Sequence, residues 1–403
     1  MMQQVVIVGA GQAGAAAAAK LRALGYAGSI TLIGAEAAPP YQRPPLSKAY
    51  LLGEMEEARL WLRAPEFWDE AQITLKLGAA VSAIDTTAQT VRVGDDVLGY
   101  DALILTTGST PRHLAPEVGG DLTGVYVVRS LADVDAMRPE FAAGRRLVII
   151  GGGYIGLEAA AVGRKLGLDV TVIEMAPRIL QRVAAPETSS YFRKLHEDHG
   201  AVIMESTGLD RLLGDTHVTG VRLKDGRELP ADFVIAGVGI TPNTAEAAAA
   251  GIALDNGIRT DAQGRTSAPN VWASGDCASF PLNGAQARLE SVGHAIHHAE
   301  LVAENIMGAA HDYVPAPWFW SDQYDTKLQI AGLNTGYDQI VTRGPDGDAV
   351  SFWYLKAGAL IAVDAMNDSR AYMVGKRLIE SGRTPDMAQV ADPATDLKAL
   401  LKA

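Results

Sequence analysis

The sequence predicts an α/β fold with two Rossmann-like domains and a small α+β C-terminal domain. Three observations lead to this prediction. A glycine-rich turn joins a short apolar strand to a helix near the start of the chain, and the same unit recurs about 140 residues later. The length of 403 residues exceeds one ordinary hydrophobic core and suggests two or three domains.

The first glycine turn follows a strand at the start of the chain. Residues 4–8 are apolar and rich in β-branched side chains, and residues 15–24 are helix-prone. Between them, Gly9 permits a tight turn, Gly11 lets the backbone approach a pyrophosphate, and Gly14 lets helix and strand pack closely. This pattern predicts a dinucleotide-binding unit.

The second glycine turn repeats the first in every respect. Residues 146–150 form the strand and residues 157–166 the helix, with Gly151, Gly153 and Gly156 at the same spacing between them. One such unit arises easily for packing reasons alone, whereas two in one chain are hard to explain in that way. The sequence therefore predicts binding of two dinucleotides.

A carboxylate follows the second strand of each unit. The strand at 29–33 leads to Glu36, and the strand at 169–173 leads to Glu174, each placed to accept a ribose hydroxyl. A carboxylate at Glu174 favours the bare ribose of NADH, because the 2′-phosphate of NADPH would face a negative charge. Arg178 follows four residues later, so NADPH stays an alternative on this evidence.

Composition excludes several classes of function. The formal net charge of −12, from 35 Lys+Arg against 47 Asp+Glu, disfavours nucleic acid and anionic membranes as partners. A single cysteine, Cys277, excludes an internal disulfide and a paired-cysteine metal or redox site, and it is typical of a cytoplasmic protein. No stretch predicts a membrane span, and the apolar start lacks a basic flank, so we expect it to be structure.

Further stretches resemble the flavoprotein family that includes glutathione reductase. Residues 103–108, LILTTG, resemble the turn that closes its first FAD segment, and residues 237–243, GVGITPN, resemble the return from its NAD domain. Residues 266–276, TSAPNVWASGD, resemble its second FAD fingerprint, in which the residue matching Asp276 binds the ribityl chain.

The resemblance implies an NAD-binding domain inserted in an FAD-binding domain. The implied boundaries are 1–108 with 242–316 for the FAD-binding domain, 109–241 for the NAD-binding domain and 317–403 for a C-terminal interface domain.

One stretch selects a branch of that family. Residues 41–51, YQRPPLSKAYL, contain no cysteine, although the thiol-dependent members carry theirs near this position. The stretch is similar instead to the oxygenase-coupled branch, to which putidaredoxin reductase belongs. Residues 316–324, APWFWSDQY, and 336–338, GYD, resemble the C-terminal domain of the same branch.

That branch implies a reaction. An FAD enzyme takes a hydride from NADH and passes single electrons to a 2Fe-2S ferredoxin, which supplies a haem monooxygenase or a ring-hydroxylating dioxygenase. A rubredoxin reductase is the nearest alternative, and a binding-type flavoprotein of the apoptosis-inducing class is a second. A monomer or weak dimer in the cytoplasm is expected.

Two residues receive catalytic roles from the resemblance. Lys48 supplies a fixed cation near flavin N5, and Glu158 pairs with that lysine and contacts the nicotinamide amide. From the residues alone, other interpretations compete, in which Lys48 is a solvated residue at a helix start and Glu158 is a first-turn acid favoured by the helix dipole. The prolines before Lys48 restrict its position.

Other residues have competing interpretations. The helix that follows residues 290–294 directs its N-terminus at the flavin in the resembled fold. His294, His297 and His298 lack the acids of a metal site, so we expect no metal and solvated or capping histidines. Cys277 is expected to be a small buried apolar residue.

The C-terminal segment predicts a small mixed domain. Strands at 350–355 and 360–364 form a hairpin around Gly358, followed by a helix at 371–378. The aromatic cluster at 318–320 is either core or, at Trp320, a surface beside the flavin. The resemblance implies further cofactor contacts at Ala13, Arg43, Val81, Thr107, Gly108, Arg129, Ile155, Gly239, Val292 and Trp320.

Overall fold

A computed structural model describes residues 2–344 and 349–402 of the chain. The helices are α1 (Gln12–Ala23), α2 (Glu66–Glu70), α3 (Leu131–Met137), α4 (Tyr154–Lys165), α5 (Pro186–Asp198), α6 (Ala245–Ala249), α7 (Val292–Ile306), α8 (Ser369–Glu380) and α9 (Met387–Ala391). Within these described ranges, every helix is too short or too polar to cross a lipid bilayer.

The strands are mostly three to eight residues long. They are β1 (Gln4–Val8), β2 (Ser29–Ile33), β3 (Ile73–Lys76), β4 (Val81–Asp85), β5 (Thr90–Val93), β6 (Asp96–Gly99), β7 (Ala102–Leu105), β8 (Ser109–Pro111), β9 (Val125–Tyr126), β10 (Arg146–Ile150), β11 (Asp169–Ile173), β12 (Val202–Met204), β13 (Leu209–Leu213), β14 (Gly220–Leu223), β15 (Glu228–Pro230), β16 (Phe233–Ala236), β17 (Ile240–Pro242), β18 (Ile258–Arg259), β19 (Val271–Ala273), β20 (Ala278–Leu282), β21 (Ala285–Ala287), β22 (Trp318–Gln323), β23 (Thr326–Gly332), β24 (Gln339–Arg343), β25 (Val350–Lys356) and β26 (Ala359–Met366).

The chain folds as two units, each built from three separate segments. Unit 1 comprises Met1–Arg43, Glu56–Thr110 and Ile240–Pro315, and unit 2 comprises Pro44–Met55, Pro111–Gly239 and Ala316–Ala403. The three-domain boundaries implied by the resemblance stay a prediction.

A parallel sheet in the order β19-β7-β1-β2-β3 forms the centre of unit 1. Side chains alternate along β1, so Val5 and Ile7 pack with the helices while Val6 and Val8 pack against strands β4 and β5. Burial on both faces explains why β1 reads as a continuous apolar run. Strands β7 and β19 are adjacent, although most of unit 2 separates them in sequence.

Helices α1 and α7 pack on one face of this sheet. The helices are in contact, and the buried cluster that they share contains many small side chains, namely Ala13, Ala17, Ala18, Ala295, Ala299 and Ala303. Alanine at these positions lets two helices approach closely. Helix α1 begins directly after the turn that ends β1.

Unit 2 contains a second parallel sheet, in the order β12-β11-β10-β16-β9. Its C-terminal segment forms an antiparallel sheet in the order β22-β23-β26-β25-β24, covered by α8. Helix α8 lies very close to this sheet, because a Cβ at Gly375 would meet the Val363 side chain at 2.6 Å.

The local predictions are largely confirmed. The four strands around the two glycine turns, β1, β2, β10 and β11, have the predicted bounds. The hairpin of β25 and β26 and the helix α8 are present, each longer than predicted. Helices α1 and α4 begin three residues earlier than predicted, because each starts at the last residues of its glycine turn, whose middle glycine is the N-cap.

Candidate active site

In the first glycine turn, which lies in unit 1, two glycines are closely packed and the middle one is open. Gly9 has φ +115°, and a Cβ there would lie 2.1 Å from the carbonyl oxygen of Thr106. A Cβ at Gly14 would lie 2.0 Å from the carbonyl oxygen of Gly9, whereas a Cβ at Gly11 would meet nothing within 4 Å. The backbone at Gly11 is therefore accessible to a ligand.

Helix α1 presents free backbone donors at this opening. Gly11 is its N-cap, so no side chain caps the helix, and its first turn holds no acid. The unpaired N–H groups and the positive end of the helix dipole favour an anion such as a pyrophosphate. These residues fit the phosphates of FAD.

Two predicted FAD ligands contact each other after β2. Glu36 accepts hydrogen bonds from the Tyr41 hydroxyl and from the Arg43 guanidinium, both at 2.5 Å. The guanidinium also lies over the Tyr41 ring, 4.9 Å from its centroid. Each carboxylate oxygen accepts more than one bond, so Glu36 keeps capacity for a ribose hydroxyl.

The second predicted FAD fingerprint lies beside the first. A Cβ at Gly275 would lie 2.9 Å from the Cβ of Ala13, which brings the turn before Asp276 against helix α1. Asp276 accepts a hydrogen bond from the Ser109 hydroxyl at 3.0 Å. Thr107 and Gly108 belong to the turn between β7 and β8, and the Thr107 hydroxyl donates to a backbone carbonyl of residue 243 at 2.6 Å.

Cys277, next to Asp276, is fully buried, as predicted. Burial raises the pKa of its thiol. A neutral thiol inside the core is not a nucleophile, so the one cysteine of the chain offers no thiol chemistry.

Val292 is the first residue of α7, as the predicted helix N-terminus requires. Ser291 caps the helix, its hydroxyl accepting from the backbone N–H of His294 at 3.2 Å. Val81 begins β4, and its side chain belongs to the hydrophobic cluster that includes Val8 and Ile33. The cofactor contacts of Val292 and Val81 stay predictions.

The expectation of solvated or capping histidines on α7 is wrong for two of the three. His294 and His298 are at most 2% exposed and pack with the rings of Phe280 and Tyr313, whereas His297 is exposed. Burial lowers the pKa of His294 to about 3. Spaced four residues apart, the two buried histidines share the face that the core covers.

Among residues 2–344 and 349–402, no three or more His, Cys, Asp or Glu side chains are grouped to hold a metal ion.

The second glycine turn, in unit 2, has the geometry of the first. Gly151 has φ +107°, and a Cβ there would lie 2.3 Å from the carbonyl oxygen of Gly237. A Cβ at Gly156 would meet the carbonyl oxygen of Gly151 at 2.4 Å, while a Cβ at Gly153 would meet nothing within 4 Å. Helix α4 again lacks a side-chain cap, and Ile155 in its first turn is 44% exposed.

Glu174 lies at the end of β11, beside this turn. Its carboxylate accepts from the backbone N–H groups of Gly152 and Ala176, both at 2.7 Å. Arg178 instead donates to the Ser189 hydroxyl at 2.5 Å, on helix α5. The carboxylate, not the guanidinium, is therefore held next to the glycine turn.

Two other predicted nucleotide contacts also lie in unit 2. Gly239 has φ +101°, and its carbonyl accepts from the Arg112 N–H at 2.9 Å. Arg129 precedes Ser130, the N-cap of helix α3, and its backbone N–H donates to Asp133 at 3.1 Å. Their roles in binding stay predictions.

The two predicted catalytic residues form a buried ion pair in unit 2. Lys48 Nζ lies 3.1 Å from Glu158 Oε1, and the two side chains are 13% and 5% exposed. Ser47 donates to Glu158 Oε2 at 2.5 Å, and Ser321 donates to Oε1 at 2.6 Å. Lys48 is thus not a solvated residue, and Glu158 is more than a first-turn acid.

Burial and hydrogen bonding act on Glu158 in opposite directions. Burial raises the pKa of Glu158 and outweighs the lowering by Lys48 and by the two serine hydroxyls. The carboxylate depends on these three donors for its charge, because an unpaired buried carboxylate is strongly disfavoured.

The ring of Trp320 lies beside the ion pair. Lys48 Nζ lies 5.5 Å from the centroid of the Trp320 ring, and Trp318 stacks on Trp320 with centroids 5.5 Å apart and an interplanar angle of 21°. Phe319 packs instead on Tyr154, at 4.6 Å. All three aromatic residues of the cluster are partly exposed, so it is not purely core.

The sequence did not indicate Ser47 and Ser321 as site residues. Ser47 is adjacent to Lys48, and Ser321 follows the aromatic cluster, but both converge on Glu158 from distant segments. What the sequence offers is that Ser47 lies within residues 41–51 and Ser321 within residues 316–324, the two stretches that resemble the oxygenase-coupled branch.

The chain is similar to known proteins along almost its whole length. Residues 3–299 match the family described as pyridine nucleotide-disulphide oxidoreductase, and residues 318–401 match the reductase C-terminal family. A ferredoxin–NAD(P)(+) reductase from Sphingomonas sp is 46% identical over 384 residues, which cover 94% of this chain and 92% of the relative. Putidaredoxin reductase from Pseudomonas putida is 40% identical over 411 residues, covering 99% and 97%.

Solved structures agree with these relatives. The crystal structure of the covalent putidaredoxin reductase–putidaredoxin complex superposes with a TM-score of 0.96 at 39% identity, covering 99% of this chain and 98% of that chain. The predicted fold class and the predicted resemblance, including that to putidaredoxin reductase, are confirmed.

Proposed function

Because the chain belongs to the pyridine nucleotide-disulphide oxidoreductase family, we propose that it is an FAD-dependent NADH:ferredoxin reductase that supplies an oxygenase. The predicted enzyme class is confirmed, since one relative is a ferredoxin–NAD(P)(+) reductase and another is putidaredoxin reductase. A ferredoxin is accordingly the partner, as the neighbour crystallised with putidaredoxin also supports. The use of FAD with NAD(P)H follows from the same family.

The observation that carries the proposal is the buried Lys48–Glu158 pair in a chain with one buried cysteine. Disulfide reductases need a reactive cysteine pair, and this chain has no second cysteine. FAD, when bound, accepts electrons in pairs from a nicotinamide and releases them singly. Lys48 provides the cation that stabilises negative charge on the reduced ring.

The remaining site residues are proposed to hold the two dinucleotides. Those for FAD are Gly9, Gly11, Ala13, Gly14, Glu36, Arg43, Lys48, Val81, Thr107, Gly108, Asp276, Val292 and Trp320. Those for NADH are Arg129, Gly151, Gly153, Ile155, Gly156, Glu158, Glu174 and Gly239. The open backbone at Gly11 and Gly153 supports both assignments.

The proposal does not distinguish between two classes of oxygenase that could accept electrons from the ferredoxin. A haem monooxygenase and a ring-hydroxylating dioxygenase both accept single electrons from 2Fe-2S ferredoxins, so both fit the reaction. We propose a monomer or weak dimer in the cytoplasm, a location supported by the lack of a second cysteine.

Cytochrome c reduction by NADH tests the proposed activity. The purified yellow protein should reduce cytochrome c rapidly only when a 2Fe-2S ferredoxin is added, because the ferredoxin carries the single electrons. If rubredoxin serves better than any 2Fe-2S ferredoxin, the activity is that of a rubredoxin reductase. If neither raises the rate, a binding-type flavoprotein of the apoptosis-inducing class gains support and the proposal fails.

Replacing Glu174 by alanine should weaken NADH binding and relax discrimination against NADPH. The carboxylate is held at the glycine turn, and loss of one hydrogen bond to a charged group costs about 1.5–3 kcal/mol, or roughly ten- to hundredfold in affinity. Equilibrium titration with both nucleotides measures the change. Glu36→Ala is the matched control, since it should alter FAD retention and leave the NADH preference intact; an unaltered preference in Glu174→Ala would place the ribose acid elsewhere.

A further inference from the structure

A chain of hydrogen bonds leads away from Glu158 inside unit 2. The Ser321 hydroxyl, which donates to Glu158 at 2.6 Å, accepts from Gln323 Nε2 at 3.1 Å. Gln323 Oε1 lies 2.8 Å from His196 Nε2, and His196 Nδ1 lies 3.1 Å from the Tyr324 hydroxyl. The chain joins strand β22 to helix α5 and ends at a partly exposed tyrosine.

The inner members of this chain are among the most buried polar groups of the protein. Ser321, Gln323 and His196 are each at most 1% exposed. Burying hydroxyl, amide and imidazole groups is unfavourable, and apolar side chains of similar size would join a strand to a helix at least as well. Packing of α5 against β22 therefore does not by itself explain why polar side chains occupy this contact.

The hydrogen bonds all run in one direction. Burial lowers the pKa of His196 to about 4, so the ring is neutral near pH 7 and carries one N–H. With its Nε2–H donating to Gln323, its Nδ1 accepts from the Tyr324 hydroxyl. Gln323 then donates to Ser321, and Ser321 donates to the carboxylate, so every donor in the chain points toward Glu158.

An oriented chain strengthens its last bond. A hydroxyl that accepts a hydrogen bond becomes a better donor, by about 10–30% per bond in condensed phases. Donors to a carboxylate favour its charged form, which opposes the effect of burial on Glu158. Burial favours the neutral form of Glu158, and hydrogen-bond donors favour its charged form. By strengthening one of these donors, the hydrogen-bond chain favours the charged form.

We propose that Gln323 and His196 are positioning residues, which keep the carboxylate of Glu158 ionised and oriented. This inference rests on the proposed function, in which a charged Glu158 pairs with Lys48. It goes beyond that function by extending the site to two residues that contact neither member of the ion pair.

Other ionisable groups lie beside this hydrogen-bond chain. Lys48 faces Glu158 from the segment Pro44–Met55, and Tyr154 faces it from the start of α4. At the outer end, His199 stacks on Tyr324 with centroids 3.7 Å apart, and the Arg164 guanidinium donates to the His199 carbonyl. These contacts fix the tyrosine ring, so its hydroxyl stays directed at His196.

Infrared titration of the FAD-bound protein tests the proposal without NADH or ferredoxin. The carboxyl band that disappears in Glu158→Gln reports the protonation of Glu158 as the pH is lowered. In Gln323→Leu the pKa of Glu158 should rise, because Ser321 loses the donor that polarises it. A separate measurement with NADH gives a second readout, in which the rate of flavin reduction near pH 7 should fall about three- to tenfold in Gln323→Leu.

Ser351→Ala is the matched control for Ser321, the serine of the hydrogen-bond chain. Ser351 is another fully buried strand serine of the C-terminal sheet, accepting from Trp353 at 3.1 Å and donating to Asp368 at 3.3 Å. Its replacement should leave the Glu158 titration unmoved, whereas Ser321→Ala should shift it further than Gln323→Leu does.

A double-mutant cycle separates positioning from general destabilisation. If Gln323 acts through Ser321, Gln323→Leu should have no further effect on the Glu158 titration in the Ser321→Ala background. An equal shift in both backgrounds, or an unmoved titration in a folded Gln323→Leu protein, would overturn the proposal. Should Gln323→Leu fail to fold, Tyr324→Phe removes only the outermost hydroxyl and should shift the titration in the same direction; no shift there would also overturn it.

Because this titration uses no electron acceptor, its outcome is independent of the ferredoxin assay. A protein that fails to reduce ferredoxin would refute the proposed function while the Glu158 titration still decides the role of the chain.

Discussion

Replacing Lys48 by methionine is expected to destabilise the protein by about 3–5 kcal/mol at alkaline pH, because it leaves the Glu158 carboxylate buried without its ionic partner. Methionine preserves most of the volume of the lysine stem, so lost packing adds little. The two serine hydroxyls remain as donors, but neither supplies a charge.

The loss of stability should depend on pH in a defined direction. Burial already raises the pKa of Glu158, and the variant removes the Lys48 cation that opposes this effect. Above its unfolded-state pKa and below its folded-state pKa, the folded protein binds more protons than the unfolded chain. The free energy of unfolding therefore falls as the pH rises through this window, and the variant should be nearest to wild-type stability in acid.

The same substitution should lower the midpoint potential of the bound flavin. Two unit charges separated by about 4 Å interact by roughly 4 kcal/mol at an effective dielectric constant of about 20, which is equivalent to about 90 mV for a two-electron couple. Because solvent screens the charge, we expect a decrease on the order of tens of millivolts. Flavin reduction by NADH should slow accordingly, because negative charge on the reduced ring loses its stabilising cation. Spectroelectrochemistry and stopped-flow absorbance measure the two quantities.

The double variant Lys48→Met with Glu158→Gln is the control for this prediction. A neutral amide at position 158 removes the buried charge, so stability should recover and become independent of pH in the window above. The flavin potential should stay low, because the cation is still missing. Stopped-flow reduction at the wild-type rate in the single variant would contradict the assigned role of Lys48.

Features that depend on neighbouring residues were predictable from the sequence. The strands β1, β2, β10 and β11 and both glycine turns follow from residue order over a few positions, where periodicity and backbone sterics act locally. The starts of α1 and α4 were placed too late because the middle glycine of each turn is itself the helix N-cap.

Features that depend on tertiary packing were not predictable. Ser321 lies 163 residues from Glu158 and Ser47 lies 111 residues from it, so no local pattern reports their convergence. The spacing of His294 and His298 fixed that they share a helix face, but not that the core covers that face. In each case the contacts and burial of a residue depend on another element that packs against it, and the residue's own segment does not specify that element.

Replacing Gly11 by alanine is expected to produce a folded protein that binds FAD more weakly. The backbone at Gly11 has φ −87°, which alanine adopts without strain, and the added Cβ would meet no protein atom within 4 Å. The methyl group would instead occupy the space beside the free donors of α1, where a pyrophosphate must approach. FAD affinity should fall at least about tenfold, a loss of about 1.4 kcal/mol, measured by flavin content after gel filtration and by titration of the apoprotein.

Two other glycines make this result specific. Gly9→Ala should fail for a different reason, because φ +115° and a Cβ 2.1 Å from the Thr106 carbonyl oxygen strain the fold itself, so thermal stability falls even without FAD. Gly153→Ala, which also meets nothing within 4 Å, should keep its FAD and lose NADH affinity. Gly11→Ala and Gly153→Ala add the same methyl group at equally open positions, so the location of the two dinucleotides accounts for their different outcomes. A Gly11→Ala protein that stays yellow with unchanged FAD affinity would contradict the assignment of the first turn.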